Sequence, residues 1–224
     1  MPPHAFGPLG TTRYVVNGVV FDTIRVPPGR LVDGERREKR ELLVSRPFEV
    51  GMTLVTQALW RAVTGKSPSY FRGDDRPVEQ VSWDDAQVFF VQLDALGLPG
   101  FRLPTEAEWA WAAQCGVATR WAGVDRIELV ADSIQADTTP VGGYTASAAV
   151  GAFDLSGNVW EWQHNRAPAL GGIDAQGPTS GLRRGNRGGS WGDDPSHVRI
   201  TYSIAAPPTD RVDSLGLRLL RTAT

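Results

Sequence analysis

This chain has few residues that could carry out thiol chemistry or bind a transition metal. Cys115 is the only cysteine among 224 residues, and the three histidines, His4, His164 and His197, lie far apart in sequence. A lone cysteine forms no disulfide within the chain, and the histidine and cysteine spacing matches no zinc site. We therefore expect Cys115 to be a small buried apolar residue, and we assign no catalytic role to any of these side chains.

Glu106 and Glu108 have the chemistry of an acid–base pair, yet their setting favours a structural role. They lie in the stretch FRLPTEAEWAWAA that begins at Phe101. The hydroxyl of Thr105 can accept a hydrogen bond from the amide of Glu108, while the Glu108 carboxylate accepts one from the amide of Thr105. This capping box predicts a helix from about Glu106 to Gln114, with both glutamates at the positive end of the helix dipole.

The elements that would position such residues are predicted mainly in the first half of the chain. They are a hairpin over residues 13–25 around Asn17 and Gly18, a strand over residues 42–50, a helix over residues 53–65, and a helix from Ala86 to Leu96 that Ser82 caps. After Gly116 no clear periodicity remains, which indicates short strands and long loops. We expect an α+β fold in a single domain over residues 1–224, with an N-terminal tail of about residues 1–12.

Composition and charge exclude several classes of partner. The net charge is −2, and a basic stripe of the kind that binds nucleic acid is absent from the sequence, so we expect no nucleic acid partner. No apolar stretch reaches membrane-spanning length, and the first residues lack the pattern of a signal peptide. The default expectation is a cytoplasmic protein, with display on a surface by another route left open.

Four sequence blocks occur in a fixed order. They are RLPTEAEW from Arg102, GNVWEW from Gly157, RGGSW from Arg187 and LGLR from Leu215. Together they resemble the formylglycine-generating enzyme (sulfatase-modifying factor) domain over roughly residues 14–222. That resemblance implies the formylglycine-generating-enzyme subtype of the C-type lectin fold, with a twisted, mostly antiparallel sheet core, two to three helices and long loops.

The catalytic residues of that family are missing here. The family's activity depends on two cysteines that bind copper, and the corresponding positions are Asp193 and Val198. Thiol-dependent oxidation needs a thiolate or a thiolate-bound metal, so we do not expect this chain to generate formylglycine. The His-rich site of related iron-dependent enzymes is also absent from the sequence, and we expect neither copper nor iron.

The chain also resembles a second group of proteins with this fold, which implies a different function. The variable proteins of diversity-generating retroelements end in a lectin-fold segment between a Gly-Gly-Ser-Trp block and a Leu-Gly-Phe-Arg block, and residues 187–218 resemble that segment. Randomising the adenines of AAY codons never yields Lys, Glu, Gln, Met or Trp. None of these five residue types occurs between Gly192 and Leu215, which favours the resemblance.

The pattern of the variable proteins implies ten diversified, ligand-binding positions. They are Gly192, Asp193, His197, Ile200, Tyr202, Ile204, Asp210, Val212, Asp213 and Ser214. This mixture is typical of a binding surface, because tyrosine offers contact area with few rotatable bonds and the polar residues offer hydrogen bonds. The alternative is an ordinary surface loop in an enzyme relative that has lost its cysteines.

The resemblance also implies a calcium site. The side chains of Asp154 and Glu161 and the carbonyls of Gly157 and Val159 match a calcium site of the formylglycine-generating family, and oxygen ligands suit this hard cation. A calcium ion bound there would be structural. The alternative is a salt-bridged Glu161 and a capped turn without metal.

The sequence therefore predicts a non-enzymatic protein that displays a diversified C-terminal surface on a rigid C-type lectin scaffold. Its ligand is expected to be a macromolecule, with a protein favoured. The alternative is a sulfatase-modifying-factor-like domain, either vestigial or catalytic as a metal-dependent oxidase.

Overall fold

The structure, a computed structural model, describes residues 10–34, 39–117, 119–126, 136–143, 150–166, 171–178 and 180–223. Its elements in chain order are β1 (Thr11–Val16), β2 (Val19–Val26), β3 (Gly29–Asp33), β4 (Arg40–Val44), β5 (Phe48–Gly51), α1 (Gln57–Thr64), α2 (Trp83–Ala95), β6 (Phe101–Arg102), α3 (Glu106–Gln114), β7 (Trp160–Arg166), β8 (Gly172–Ile173), β9 (Arg184–Arg187), β10 (Ser203–Ala206), β11 (Leu215–Gly216) and β12 (Leu220–Thr222). The α+β class is confirmed. No helix within these ranges has the length and apolar character needed to cross a membrane.

The strands form three sheets. One sheet has the order β1-β2-β5-β12-β6, the second has the order β10-β9-β7-β11, and the third has the order β3-β4-β8. Two pairings, β7 with β11 and β4 with β8, are parallel, and the other strand pairs of the described residues are antiparallel. The second sheet pairs β9 and β11, which flank residues 192–214, with β7, so it positions the candidate site.

Local signals in the sequence fix several of these elements. Asn17 and Gly18 both have positive φ, at 47° and 81°, and join β1 to β2 in the predicted hairpin. The single strand predicted over residues 42–50 is wrong, because β4 ends at Val44 and β5 begins at Phe48. Pro47 between them has no N–H to donate to a neighbouring strand. Thr11 and Thr12, at the end of the predicted tail of about residues 1–12, belong to β1.

Each of the helices α1, α2 and α3 begins directly after its N-cap residue. Helix α3 spans Glu106–Gln114, and its capping box between Thr105 and Glu108 is confirmed. Helix α1 begins at Gln57 rather than at residue 53, because the side chain of Thr56 accepts a hydrogen bond from the amide of Leu59 at 3.1 Å and forms the N-cap. Ser82 caps α2, as predicted.

Two hydrophobic clusters make up most of the core. One surrounds α3 and contains Trp109 and Ile200, and the other lies around α1 and α2 and contains Trp162 and Leu217. Trp109 and Trp162 are fully buried. Residues near the C-terminus therefore contribute to both clusters, which ties the last part of the chain to the rest of the fold.

Candidate functional site

Arg187, the last residue of β9, fixes the beginning of the C-terminal segment. Its guanidinium is fully buried and donates to the carboxylate of Asp33 at 2.6 and 3.1 Å. It also donates to the backbone oxygen of Ile200 at 2.8 Å and lies 3.4 Å from Glu106. Burial alone would raise the pKa of Asp33, but the charges and hydrogen bonds of Arg187 and Arg40 outweigh burial and lower it.

Arg218, which follows β11, fixes the end of the segment in the same way. Its guanidinium and the carboxylate of Glu161 on β7 are both fully buried, and their closest contact is 2.8 Å. Trp109 donates its indole N–H to Glu161 at 2.7 Å, and Arg218 donates to the backbone oxygens of Gly51 and Phe153. Removing one member of such a pair leaves an uncompensated buried charge, which costs about 3–5 kcal/mol.

Between these two arginines, residues 192–214 form what we call the C-terminal segment. Nine of the ten predicted binding positions are partly or fully exposed there. The prediction is wrong for Ile200, whose side chain is 0 % exposed and packs in the cluster around α3. Because Arg187 binds its backbone oxygen, Ile200 belongs to the framework that holds the segment.

Three of the predicted residues meet around the indole of Trp160. Asp193 accepts from the Trp160 indole N–H at 2.8 Å and from the hydroxyl of Ser190 at 2.6 Å. His197 lies 3.6 Å from Asp193, and the rings of His197 and Tyr202 are 4.7 Å apart. Asp193 therefore also has a structural role, because its carboxylate accepts the hydrogen bonds of Trp160 and Ser190.

The far end of the segment is attached to other parts of the fold through its backbone. The backbone oxygen of Ser214 accepts from the amide of Trp160 at 2.8 Å, and that of Asp213 accepts from the indole of Trp191 at 3.3 Å. The oxygen of Val212 accepts from the amide of Gln80 at 3.0 Å. Because these contacts use backbone oxygens, the side chains of Val212, Asp213 and Ser214 can be substituted without losing them.

The middle of the segment docks on the N-terminus of α2. Pro208 accepts a hydrogen bond from the amide of Trp83 at 2.9 Å, which satisfies one of the free amides of that helix end. Arg211 pairs with Asp85 at 2.7 Å. Ile204 lies on β10, and Asp210 lies in the following turn.

The two positions that correspond to family cysteines have other roles here. Asp193 binds Ser190 and Trp160, and Val198 is buried against Trp121. Cys115 is buried at the C-terminal end of α3, and burial raises the pKa of its thiol to about 11. The thiol is therefore neutral at physiological pH and a poor nucleophile.

The residues of the predicted calcium site are engaged by protein groups. Both oxygens of Glu161 accept hydrogen bonds, from Arg218 and Trp109, and the Asp154 carboxylate accepts from the amide of Gly142 at 2.7 Å. A guanidinium that pairs with Glu161 also repels a cation, so this arrangement does not fit a calcium ion held by Asp154, Gly157, Val159 and Glu161. It matches the alternative of a salt-bridged Glu161, and calcium binding stays a prediction.

The structure places three residues that the sequence did not single out, Tyr70, Phe71 and Glu79, beside Trp191. The ring of Phe71 lies 5.4 Å from that of Trp191 and 5.0 Å from that of Tyr70, which is 68 % exposed. We call Tyr70, Phe71 and Trp191 the aromatic ridge. Glu79 lies behind it, fully buried, and accepts from the amide of Phe71 at 2.9 Å. No local pattern joins residues 70 and 191, so only the fold shows this contact.

Comparisons with known proteins agree with this geometry. The sulfatase-modifying factor enzyme 1-like domain family matches residues 15–223. The solved structure of Treponema denticola variable protein 1 is 26 % identical, with a TM-score of 0.86, and the match covers 95 % of this chain and 99 % of that one. The formylglycine-generating-enzyme subtype of the C-type lectin fold is thereby shown.

Enzymes and an inactive relative are also similar to this chain. The formylglycine-generating enzyme of Thermomonospora curvata is 32 % identical over 71 % of this chain and 59 % of its own length. Inactive C-alpha-formylglycine-generating enzyme 2 of Mus musculus is 28 % identical over 75 % of this chain and 56 % of its own length. The chain thus spans less than two thirds of these relatives. It belongs to the family of sulfatase-modifying factor enzyme 1-like domains.

Proposed function

We propose that this protein is a non-enzymatic ligand-binding protein whose C-terminal segment is a replaceable binding surface on a lectin-type scaffold. The observation that carries the proposal is the contrast within the segment. Buried Arg187 and Arg218 hold its two ends, while nine of the ten predicted positions between them are at least partly exposed. Exposed positions tolerate substitution far better than buried ones, so such a surface can change without unfolding the domain.

Similarity to known proteins also supports the proposal. The chain is similar over nearly its whole length to a protein that is called a variable protein. In addition, the positions of the family's catalytic cysteines are Asp193 and Val198. Both observations favour binding over catalysis.

Randomisation of the nine exposed positions tests the proposal directly. The variants would be displayed on yeast, scored for protease resistance and selected against an acidic, a neutral and a basic test protein. We expect most variants to stay folded and binders to emerge against at least one test protein. A control library at buried Ile200, Leu215 and Leu217 should mostly unfold. Equal unfolding in the two libraries, or no binder in the first, would overturn the proposal.

The similarity to formylglycine-generating enzymes makes catalysis the second candidate. Oxygen uptake with a cysteine-containing peptide and added copper measures it. We expect no uptake, because the thiol of Cys115 is buried and its pKa is raised to about 11. Conversion of the peptide cysteine to formylglycine would establish the enzyme.

A further inference from the structure

The aromatic ridge extends the candidate surface beyond the C-terminal segment. The rings of Tyr70 and Phe71 meet edge to face at 86°, and those of Phe71 and Trp191 at 83°. The indole of Trp191 donates to the backbone oxygen of Asp213, which places the ridge beside the end of the segment. The ridge lies outside the ten predicted diversified positions. It is therefore a constant part of the binding surface.

The segment beside the ridge carries unpaired negative charge. Among the described residues, no donor contacts the carboxylates of Asp210 or Asp213, both of which are partly exposed. Arg211 does not neutralise them, because its guanidinium already pairs with Asp85. The exposed Arg72 lies near this region, and its guanidinium donates to the backbone oxygen of Ser67. The acids therefore lack a partner within the described fold.

A buried carboxyl group lies directly behind the ridge. Glu79 is 0 % exposed; its Oε1 accepts from the amide of Phe71, and its Oε2 has no hydrogen-bond partner among the described residues. Burial raises the pKa of Glu79, backbone hydrogen bonds and Arg72 lower it, and the charge of Asp213 raises it further. The negative charge of Asp213 disfavours ionisation of Glu79, and a cation next to Asp213 would offset that effect.

We propose that this surface binds a positively charged segment of a partner protein, with a lysine or arginine side chain placed over the aromatic ridge and against Asp213. The inference rests on the proposed function and names the class of partner. Aromatic faces and carboxylates both attract such cations. The phosphates of a nucleic acid would be repelled by the same carboxylates, so the complementary partner is a basic protein surface.

Panning a random dodecapeptide library on phage against the full chain tests the proposal. We expect the enriched peptides to carry an excess of lysine and arginine and to bind more weakly as salt is raised. Their Kd should increase about fivefold or more in Asp213→Asn and Tyr70→Ala, the loss expected when a central contact is removed. Glu41→Gln removes one exposed charge on β4, outside the surface, and should leave Kd unchanged.

Other outcomes separate this inference from the proposed function. Enriched peptides without excess basic residues, but with binding lost in Tyr202→Ser, would overturn the basic partner and support the binding surface. Peptides whose binding responds to none of these substitutions would overturn both. Asp213 and Tyr70 are exposed enough for their variants to fold, which circular dichroism would verify.

Discussion

At the scale of single residues, Ile200 and Ile204 have the same side chain and opposite environments. Ile200 is 0 % exposed and packs in the cluster around α3, whereas Ile204 on β10 is 37 % exposed. The similarity to variable proteins assigns both to the binding surface, and only burial distinguishes them. Position in a motif therefore does not determine which residues a ligand can reach.

This pair provides a matched prediction. Ile200→Ala removes buried methyl groups and leaves a cavity, so we expect a loss of about 2–5 kcal/mol in the free energy of unfolding. Ile204→Ala should change it by no more than about 0.5 kcal/mol. Urea unfolding followed by tryptophan fluorescence measures both. Similar losses in the two variants would contradict the division of the segment into framework and surface.

Glu79 provides a prediction for pH dependence. Burial, its largest influence, raises its pKa, and an acid with a raised native pKa binds its proton more tightly when folded. Its contribution to stability is therefore present below the unfolded-state pKa and lost as pH rises through the native pKa. The glutamine of Glu79→Gln cannot ionise. As the pH is lowered, the unfolding free energy of the unsubstituted protein should therefore rise relative to that of the variant.

Urea unfolding of both proteins across a pH series measures that difference. Glu41→Gln is the matched control, because Glu41 is exposed and its replacement should give a difference that is nearly constant with pH. A pH-independent difference for Glu79→Gln would contradict a buried carboxyl group whose pKa is raised by burial.

At the scale of elements, the turn after β9 connects the framework to the segment. Gly189 has φ of 70°, and an added Cβ would lie 2.5 Å from Val198 Cγ1 and 2.8 Å from Val198 Cα. Gly192, three residues later, has no heavy atom within 4 Å of such a Cβ. The turn therefore has no room for a side chain at position 189 but has room for one at position 192.

We expect Gly189→Ala to destabilise the fold by about 2 kcal/mol or more, since strained backbone and crowding act together. Gly192→Ala should leave the melting temperature nearly unchanged. Differential scanning calorimetry of the two variants makes the comparison. A tolerated alanine at position 189 would contradict the close approach of this turn to Val198.

The stretch that leads into β7 provides a prediction on metal removal. Glu161 is balanced by Arg218 and bonded to Trp109, so the pair needs no cation to neutralise it. We expect treatment with EDTA to leave the melting temperature unchanged. A lower melting temperature, together with one calcium per chain by mass spectrometry, would establish the calcium site implied by the family.

Short-range patterns predict the elements better than they predict the site. The Asn17-Gly18 turn and the capping boxes at Ser82 and Thr105 depend on a few adjacent residues, and the structure contains all three. The pairing of Arg187 with Asp33 joins residues 154 positions apart, so no local pattern could indicate it. The aromatic ridge was missed for the same reason.

At the scale of the whole molecule, the fold separates constant from replaceable parts. Buried ion pairs and two hydrophobic clusters surround the ends of the segment, and the exposed side chains lie between them. The order of sequence blocks predicted this family and fold, because those blocks coincide with the buried framework. The ligand could not be predicted in the same way, since it depends on exposed residues that the framework does not constrain.

The DNA around the gene provides the measurement that tests the replaceable surface most directly. Sequencing should find a near-copy of the stretch that encodes residues 187–218, close to a reverse-transcriptase gene. We expect the two copies to differ almost only at adenines of the copy, in codons for the exposed positions of residues 192–214. Absence of such a copy, or differences spread evenly over buried and exposed codons, would contradict a diversified binding surface.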